Sequence, residues 1–554
     1  MRGLALALVL ALVLALPLPG RADCPPGDAP YPAQFADPAR FQAALSQTAG
    51  VAAMEPAPLA VTVPHHLEVP DLIAGGLRLA AGQRPERILL LFPDHFDEAT
   101  GIAATTARGF QTALGPVPAD VGAAQQLIAA GLEDSCLFGA DHGIGALLPF
   151  VAALFPGVPL VPVALSIRSQ PADWDRLAAI LAPIAGPETL ILQSTDFSHY
   201  LPHHEARLRD QQVLNILAAG DRDALRRLVQ PDHVDSLAAL DLTLQLTTGR
   251  AAPLVVANRN QQELTATPLA ETTSYMVIAH VPPGEPQPRA DFGGTVLMLG
   301  GDLFLGRDLP RLLSDELAAG RVEDALRAAT GGAPLIANLE GVVVDELPVG
   351  LPHLTLAMPA DALRDWAGRM NLIAAGTANN HTLDLGPEAR VAGEAMLAQM
   401  GVTPFRDGQR LDLPGLSLVG LTDLSNSAAP YEGLIDAAAL DHLLVPEADR
   451  QVLAFLHWGR ETGPLTGPRE RMLAEEARRR GVALVVGAHP HRAAGAPEVI
   501  GGGDTLVYWS LGNLLFDQTA ETSSGMLVEL RVFPQGTVFA RPLPLPHLFD
   551  LALP

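Results

Sequence analysis

Polar residues with metal-ligating side chains gather at the ends of apolar runs along this sequence. In the second half such runs stop at Gly301-Asp302, Asn338-Leu339-Glu340, Asn379-Asn380-His381, His457-Trp458-Gly459, His489-Pro490-His491 and Gly512-Asn513. Asp, Glu, Asn and His arriving together form a mixed oxygen and nitrogen donor set, which suits manganese, iron or zinc and can hold two ions. Pro490 between two histidines removes a backbone donor and restricts His489, so one loop presents the pair rigidly. In the first half the runs stop at His65-His66, at Asp94-His95 and at Asp196-Phe197-Ser198-His199, and Asp141-His142 opens a helix-like stretch. A single histidine in such a place is usually a cap or loop residue. Several at comparable positions point to a shared ligand set, because burying idle imidazoles costs stability.

These residues need elements that bring them together. The runs before them are short and rich in Leu, Ile and Val, as buried parallel strands are. In open α/β sheets ligands bind beyond the carboxyl ends of such strands, where residues distant in sequence converge. The runs alternate with Ala- and Leu-rich amphipathic stretches, which predicts an α/β layer structure in both halves. Between the halves, residues 281–293 are Pro-rich and polar and read as a linker. The expected organisation is a leader at 1–22, a polar segment at 23–49, an α/β domain at 50–280, the linker, and a second domain at 294–554.

The order Pro64-His65, Pro93-Asp94-His95, Asp141-His142 with Leu148-Pro149-Phe150, Ser194 to His199, and Thr248-Gly249-Arg250 resembles the MEMO-like family, which shares its fold with class III extradiol dioxygenases. The resemblance covers about residues 50–280. It places the family's histidine motifs at His65 and His95 and its Asp/His motif at Asp196 and His199, and implies one Fe, Zn or Cu ion there. Thr248 stands where the family usually has a cysteine, and a hydroxyl is a weak ligand where a thiolate is a strong, soft one. The second-half motifs, with Arg307 after Asp302, Asp384 after His381 and Glu461 after Gly459, resemble the CapA family. That family is associated with poly-γ-glutamate capsule synthesis and belongs to the calcineurin-like metallophosphatase superfamily. The resemblance implies a four-layer α/β/β/α sandwich and a centre of one or two Mn, Fe or Zn ions on Asp302, Glu340, Asn380, His457, His489 and His491. Asp302 is followed by Leu303 and Phe304, so the superfamily's usual Asp-x-His start is absent, and Glu340 stands where an aspartate normally bridges two metals. In a catalytic site of this kind His381 protonates the leaving group. Arg307 or Arg460 clamps an anionic group, a surface ion pair being the alternative for each.

Composition bounds the partners. The 554 residues carry 61 Asp plus Glu against 36 basic residues, all of them arginine, for a net charge of -25. Mechanisms that need lysine are excluded, and nucleic acid is disfavoured because its affinity comes from dense basic contacts with phosphates. Arg2, the apolar run Leu4 to Leu16, and small residues at Gly20 and Ala22 read as a secretory signal peptide. The run is too short to span a bilayer, so the expected mature chain starts at Asp23, has no membrane span and is periplasmic or secreted. An oxidising compartment permits Cys24 and Cys136, the two cysteines, to pair. The reading is an exported two-domain protein whose second domain is a metal-dependent hydrolase of an envelope or capsule phosphoester or acyl/amide polymer. The alternative is a non-catalytic assembly factor that binds anionic polymer through its metal site.

Overall fold

The computed structural model of the chain describes residues 24–282, 292–445 and 450–554. The expected leader lies outside the described residues, as do residues 283–291 of the expected linker. No helix among the described residues is long and apolar enough to cross a membrane.

The first domain is built on a nine-stranded sheet. Its parallel centre consists of β1 (Ala60–Val63), β2 (Arg87–Asp94), β3 (Leu160–Ser166) and β4 (Thr189–Ser194), set side by side in the order β1-β4-β2-β3. In β2, Ile88, Leu90 and Phe92 pack on one face with Leu77 and Phe150, while Leu89 and Leu91 pack on the other with Trp174 and Leu177. Burial on both faces is the reason these runs are continuously apolar. Helix α1 (His203–Ala219) follows, and β5 (Ala252–Asn260) and β6 (Thr272–Val281) then close the edge beside β1 in antiparallel fashion. Residues ahead of β1 also belong to this packing: Phe41 on the helix Pro38–Gln47 is buried against Phe150. Cys24 is disulfide-bonded to Cys136, and Arg108 Nη1 donates to the Pro25 and Ala29 carbonyls, so the start of the described chain is strapped across the domain.

The second domain is the expected four-layer sandwich. One sheet contains β7 (Thr295–Leu303), β8 (Leu335–Leu339) and β9 (Leu372–Gly376), parallel to one another. The other contains β10 (Leu416–Thr422), β11 (Gln451–His457), β12 (Leu484–Ala488) and β13 (Thr505–Tyr508), also parallel. The short strand β14 (Asn513–Leu515) and the antiparallel β15 (Met526–Val532) flank β7, and β16 (Val538–Pro544) lies outside β15. Leu299, Ile336, Leu418, Phe455, Val486 and Val528 fill the space between the sheets. Outside the first sheet lie helices carrying Val322, Leu363 and Trp366; outside the second lie helices carrying Leu440, Leu473 and Ala477.

The two domains share a core. Phe533 and Phe539 of the second domain join the cluster formed by Val213, Leu214 and Val255 of the first. Polar groups on the same side of α1 bond across: Gln211 Nε2 donates to the Val538 carbonyl at 2.7 Å, the Val538 N–H donates to Gln211 Oε1 at 2.8 Å, and Asn215 Nδ2 donates to the Gly503 carbonyl at 2.8 Å.

Candidate metal centres

The donor residues of the second domain meet where the carboxyl ends of strands from both sheets converge. Asp302 is near the end of β7, Glu340 follows β8, Asn380 and His381 lie beyond β9, His457 ends β11, and His489 and His491 follow β12. Each is buried. Asp302 Oδ1 accepts from Asn338 Nδ2 at 2.7 Å, and its Oδ2 accepts from the His489 backbone N–H at 3.2 Å and lies 3.6 Å from His491 Nδ1. His489 holds a φ of 94°, a region that side chains other than glycine's rarely enter. Such a conformation costs about 1–3 kcal/mol and is retained where the surroundings dictate it. Here it aims the N–H at Asp302.

Ligand atoms of Glu340, His457 and His489 lie within 4.8 Å of one another, and so do those of Asp302, Glu340 and His491. Glu340 is common to both groups, as a residue serving two ions is. Asn380 Oδ1 is 2.7 Å from His457 Nε2, which brings it to the same centre. His491 Nδ1 is 2.7 Å from Asn513 Oδ1, an outer contact of the kind that fixes the orientation of a histidine ring. His381 Nδ1 pairs with Asp384 Oδ2 at 2.7 Å, and its Nε2 is 3.9 Å from Glu340 Oε1.

Whether these residues suit a cation is answered by their electrostatics. Burial, then the neighbouring charges of Asp302, Glu461 and Asp384, push the Glu340 carboxyl well above the usual carboxylate range, and burial likewise raises Asp302. Burial and the neighbouring histidines push His457 well down and His489 down to about 3. The protein alone thus disfavours both negative carboxylates and positive imidazoles here. A bound cation stabilises the forms that coordinate it, ionised carboxylate and neutral imidazole. Glu340 Oε2 and His489 Nδ1 are buried without a hydrogen-bond partner, so the donor set fits a metal ion.

Of the two arginines, Arg307 is tied by Nη1 to Asp517 at 2.8 Å and by Nη2 to the His353 carbonyl at 2.7 Å. Arg460 lines an open cleft of about 650 Å³ with Asp423, Glu432, Arg469 and Glu470, immediately after His457-Trp458-Gly459.

The first domain holds a separate cluster. His65 Nε2 is 3.2 Å from His95 Nε2, 3.4 Å from Asp196 Oδ2 and 3.1 Å from Asp235 Oδ2. His142 joins His65 and His95 in a second close group. Outer contacts orient the rings: His65 Nδ1 is 3.1 Å from Ser194 Oγ, and His95 Nδ1 is 2.7 Å from Asp141 Oδ1. Burial, with His95 and His65 beside it, pushes His142 down to about 3 and keeps it neutral, the form a ligand needs. The structure therefore gathers His65, His95 and Asp196, and sets His199 beside them with its ligand atoms outside both close groups. Asp235 was not singled out in the sequence. It sits in the loop 231–236, away from any strand end, and its one sequence signal is the Asp-Ser pair opening the helix Leu237–Thr247. The Thr248 hydroxyl is engaged by the Leu244 carbonyl, to which it donates at 2.7 Å, at the far end of that helix.

Comparisons with known proteins follow the same division. Residues 39–236 match the family model described as Memo-like protein, and residues 436–518 match that described as bacterial capsule synthesis protein PGA_cap. A MEMO1 family protein of Caldivirga maquilingensis is 28% identical over 148 residues, which cover 25% of this chain and 51% of that one. A MEMO1 family protein of Methanopyrus kandleri is 28% identical over 162 residues, 28% of this chain and 57% of that one. The chain thus spans about half the length of the curated relatives it matches. A solved structure of a hypothetical protein from Thermus thermophilus is 17% identical, covers 46% of this chain and 100% of its own, and has a TM-score of 0.29. This chain is a fusion, resembling Memo-like proteins in its first half and capsule-synthesis proteins in its second.

Proposed function

We propose that this is an exported, periplasmic or secreted protein whose second domain is a metal-dependent hydrolase of an envelope or capsule polymer, cleaving a phosphoester or an acyl or amide bond such as a γ-glutamyl link. The observation that carries this reading is the pair of buried ligand groups that share Glu340, with the His381–Asp384 pair beside them. Asp302, Glu340, Asn380, His457, His489 and His491 would hold one or two divalent ions of Mn, Fe or Zn; such ions supply Lewis-acid charge and an acidified water. The chain's own residues do the rest. Asp384 accepts the Nδ1 proton of His381, which fixes the tautomer and orients Nε2 into the centre. From there His381, when protonated, delivers a proton to the departing oxygen or nitrogen. Arg460 in the adjoining cleft is placed to meet an anionic group of an extended substrate, whereas Arg307 is already paired and serves to hold the loop at Asp517. In the first domain His65, His95 and Asp196, with His199 near them, would hold one Fe, Zn or Cu ion.

The second reading, an assembly factor that binds polymer without cleaving it, is supported by the matching family's description, which names a pathway and no reaction. Steady-state assays on phosphodiester and γ-glutamyl model substrates, run with measured metal content, separate the two. Turnover that is lost together with metal in Glu340→Gln is the expected result. Full metal occupancy with no turnover on any of these substrates would leave the binding reading.

A further inference from the structure

We infer that Asp235 is a direct ligand of the first-domain centre, making it a two-histidine, two-carboxylate site for a divalent ion such as Mn²⁺, Fe²⁺ or Zn²⁺ and a poor site for Cu⁺. The inference deepens the reading that this domain holds a metal ion and rests on it.

Geometry is the first support. Donor atoms about 2.0–2.2 Å from one ion stand roughly 3.0–3.5 Å from each other around it. His65 Nε2 stands 3.2 Å from His95 Nε2, 3.4 Å from Asp196 Oδ2 and 3.1 Å from Asp235 Oδ2, with His95 Nε2 3.8 Å from Asp235 Oδ2. His65, His95 and Asp235 thus lie mutually within 3.8 Å, and Asp196 joins His65 and Asp235 in one close group. Unused bonding capacity is the second support: Asp196 Oδ2 and Asp235 Oδ1 are buried and have no hydrogen-bond partner, in residues that are 0% and 8% exposed. Leaving such atoms unsatisfied is costly unless something else bonds them.

Asp235 is also held in place. The Asp196 N–H donates to Asp235 Oδ2 at 3.1 Å and the Asp235 N–H donates back to the Asp196 carbonyl at 3.0 Å, so the Asp235 carboxylate and backbone are tied to the Asp196 backbone. The helix that starts after Asp235 is capped by the Ser236 hydroxyl, which accepts from the Ala239 N–H at 3.1 Å and fixes the chain just after this residue.

Charge and softness then select the ion. Two buried carboxylates sum to two negative charges, which a dication cancels and a monovalent cation leaves half uncompensated in a dry site. Among the described residues the centre has no sulfur donor, and carboxylate with imidazole suits Mn, Fe and Zn better than Cu⁺.

The test uses full-length protein loaded with Co²⁺ or Zn²⁺, with metal counted by elemental analysis and Co²⁺ followed by absorption. His95→Ala should lose one ion relative to wild type. Asp235→Ala and the near-isosteric Asp235→Asn should each lose the same ion or bind it more than ~100-fold more weakly, beyond what an outer-sphere contact costs. Asp235→Cys should retain cobalt and acquire a sulfur-to-cobalt charge-transfer band, and Thr248→Cys should not. If His95→Ala loses no ion, the reading of a metal site here falls and this inference with it. If His95→Ala loses an ion that both Asp235→Ala and Asp235→Asn keep at wild-type affinity, Asp235 is no ligand. A thiolate band in Thr248→Cys but not in Asp235→Cys would also overturn the assignment.

Discussion

At the scale of single residues, the arrangement around His381 makes a sharp prediction. Asp384 Oδ2 receives both His381 Nδ1, at 2.7 Å, and the Leu356 backbone N–H, at 2.8 Å. Alanine in its place offers these two donors no acceptor. The ring's orientation and tautomer are then lost without touching any proposed ligand. In the hydrolase reading, Asp384→Ala should lower kcat by about 10²- to 10⁴-fold, the range a positioned general acid contributes, while KM and metal content stay near wild type. An unchanged kcat, or metal lost in parallel, would show that the pair does not act on the leaving group. The donor residues of this centre were legible in the sequence because each stands at the end of an apolar run, where buried parallel strands deliver side chains to one place. Asp235 was not legible for the converse reason. Its carboxylate reaches His65 from a loop before a helix, so neither periodicity nor a strand end marks it, and Thr248 drew attention instead through its Gly-Arg neighbours.

At the scale of elements, α1 departs from what its sequence suggests. A surface helix shows one apolar face, yet Asp210, Gln211 and Asn215 are all buried, because the second domain covers the face that would otherwise meet solvent. In the sequence nothing separates polar residues on that face from solvated ones, and the structure shows that they are bonded across an interface. Asp210 carries a consequence for pH. Its Oδ1 accepts from Ser198, its Oδ2 accepts from Gln535 of the second domain at 3.2 Å, and burial nevertheless pushes its carboxyl up to about 6. The folded chain therefore holds a proton between about pH 4 and 6 that the unfolded chain releases. Stability from this group is fully present below about pH 4 and is lost as pH rises through 6. A carboxyl moved from about 4 to about 6 on folding contributes roughly 3 kcal/mol at the acid end of that window. Asp210→Asn mimics the protonated form, so it should raise Tm relative to wild type at pH 7.5 and change it little at pH 4. Thermal melts of both proteins at the two pH values check this, and an equal difference at both would contradict the assignment.

At the scale of the whole molecule, the question is whether the fusion behaves as two bodies or one. The Pro-rich composition of 281–293 reads as a linker between independent units, and from sequence alone nothing reveals contact between the halves. The contact depends on Phe533 and Phe539, which lie in and beside two strands of the second domain but are 2% and 0% exposed because they enter the first domain's core with Val213, Leu214 and Val255. Domains in one chain move independently by default unless their interface is large and apolar. Here apolar burial is reinforced by the paired bonds between Gln211 and Val538 and by Asn215 on the Gly503 carbonyl, so separating the domains strands buried polar groups as well as apolar surface. The two domains should therefore unfold together. Truncating a buried phenylalanine costs about 3–5 kcal/mol, and in Phe539→Ala that loss falls on the shared core, leaving each domain's own sheets and helices in place. Calorimetry of the full chain should show one transition for wild type and two for Phe539→Ala, the earlier one below the wild-type Tm. Two transitions already in wild type would mean that the interface carries no coupling and that each candidate metal centre sits in a body of its own, and a single unshifted one in the variant would mean that Phe539 does not hold the domains together.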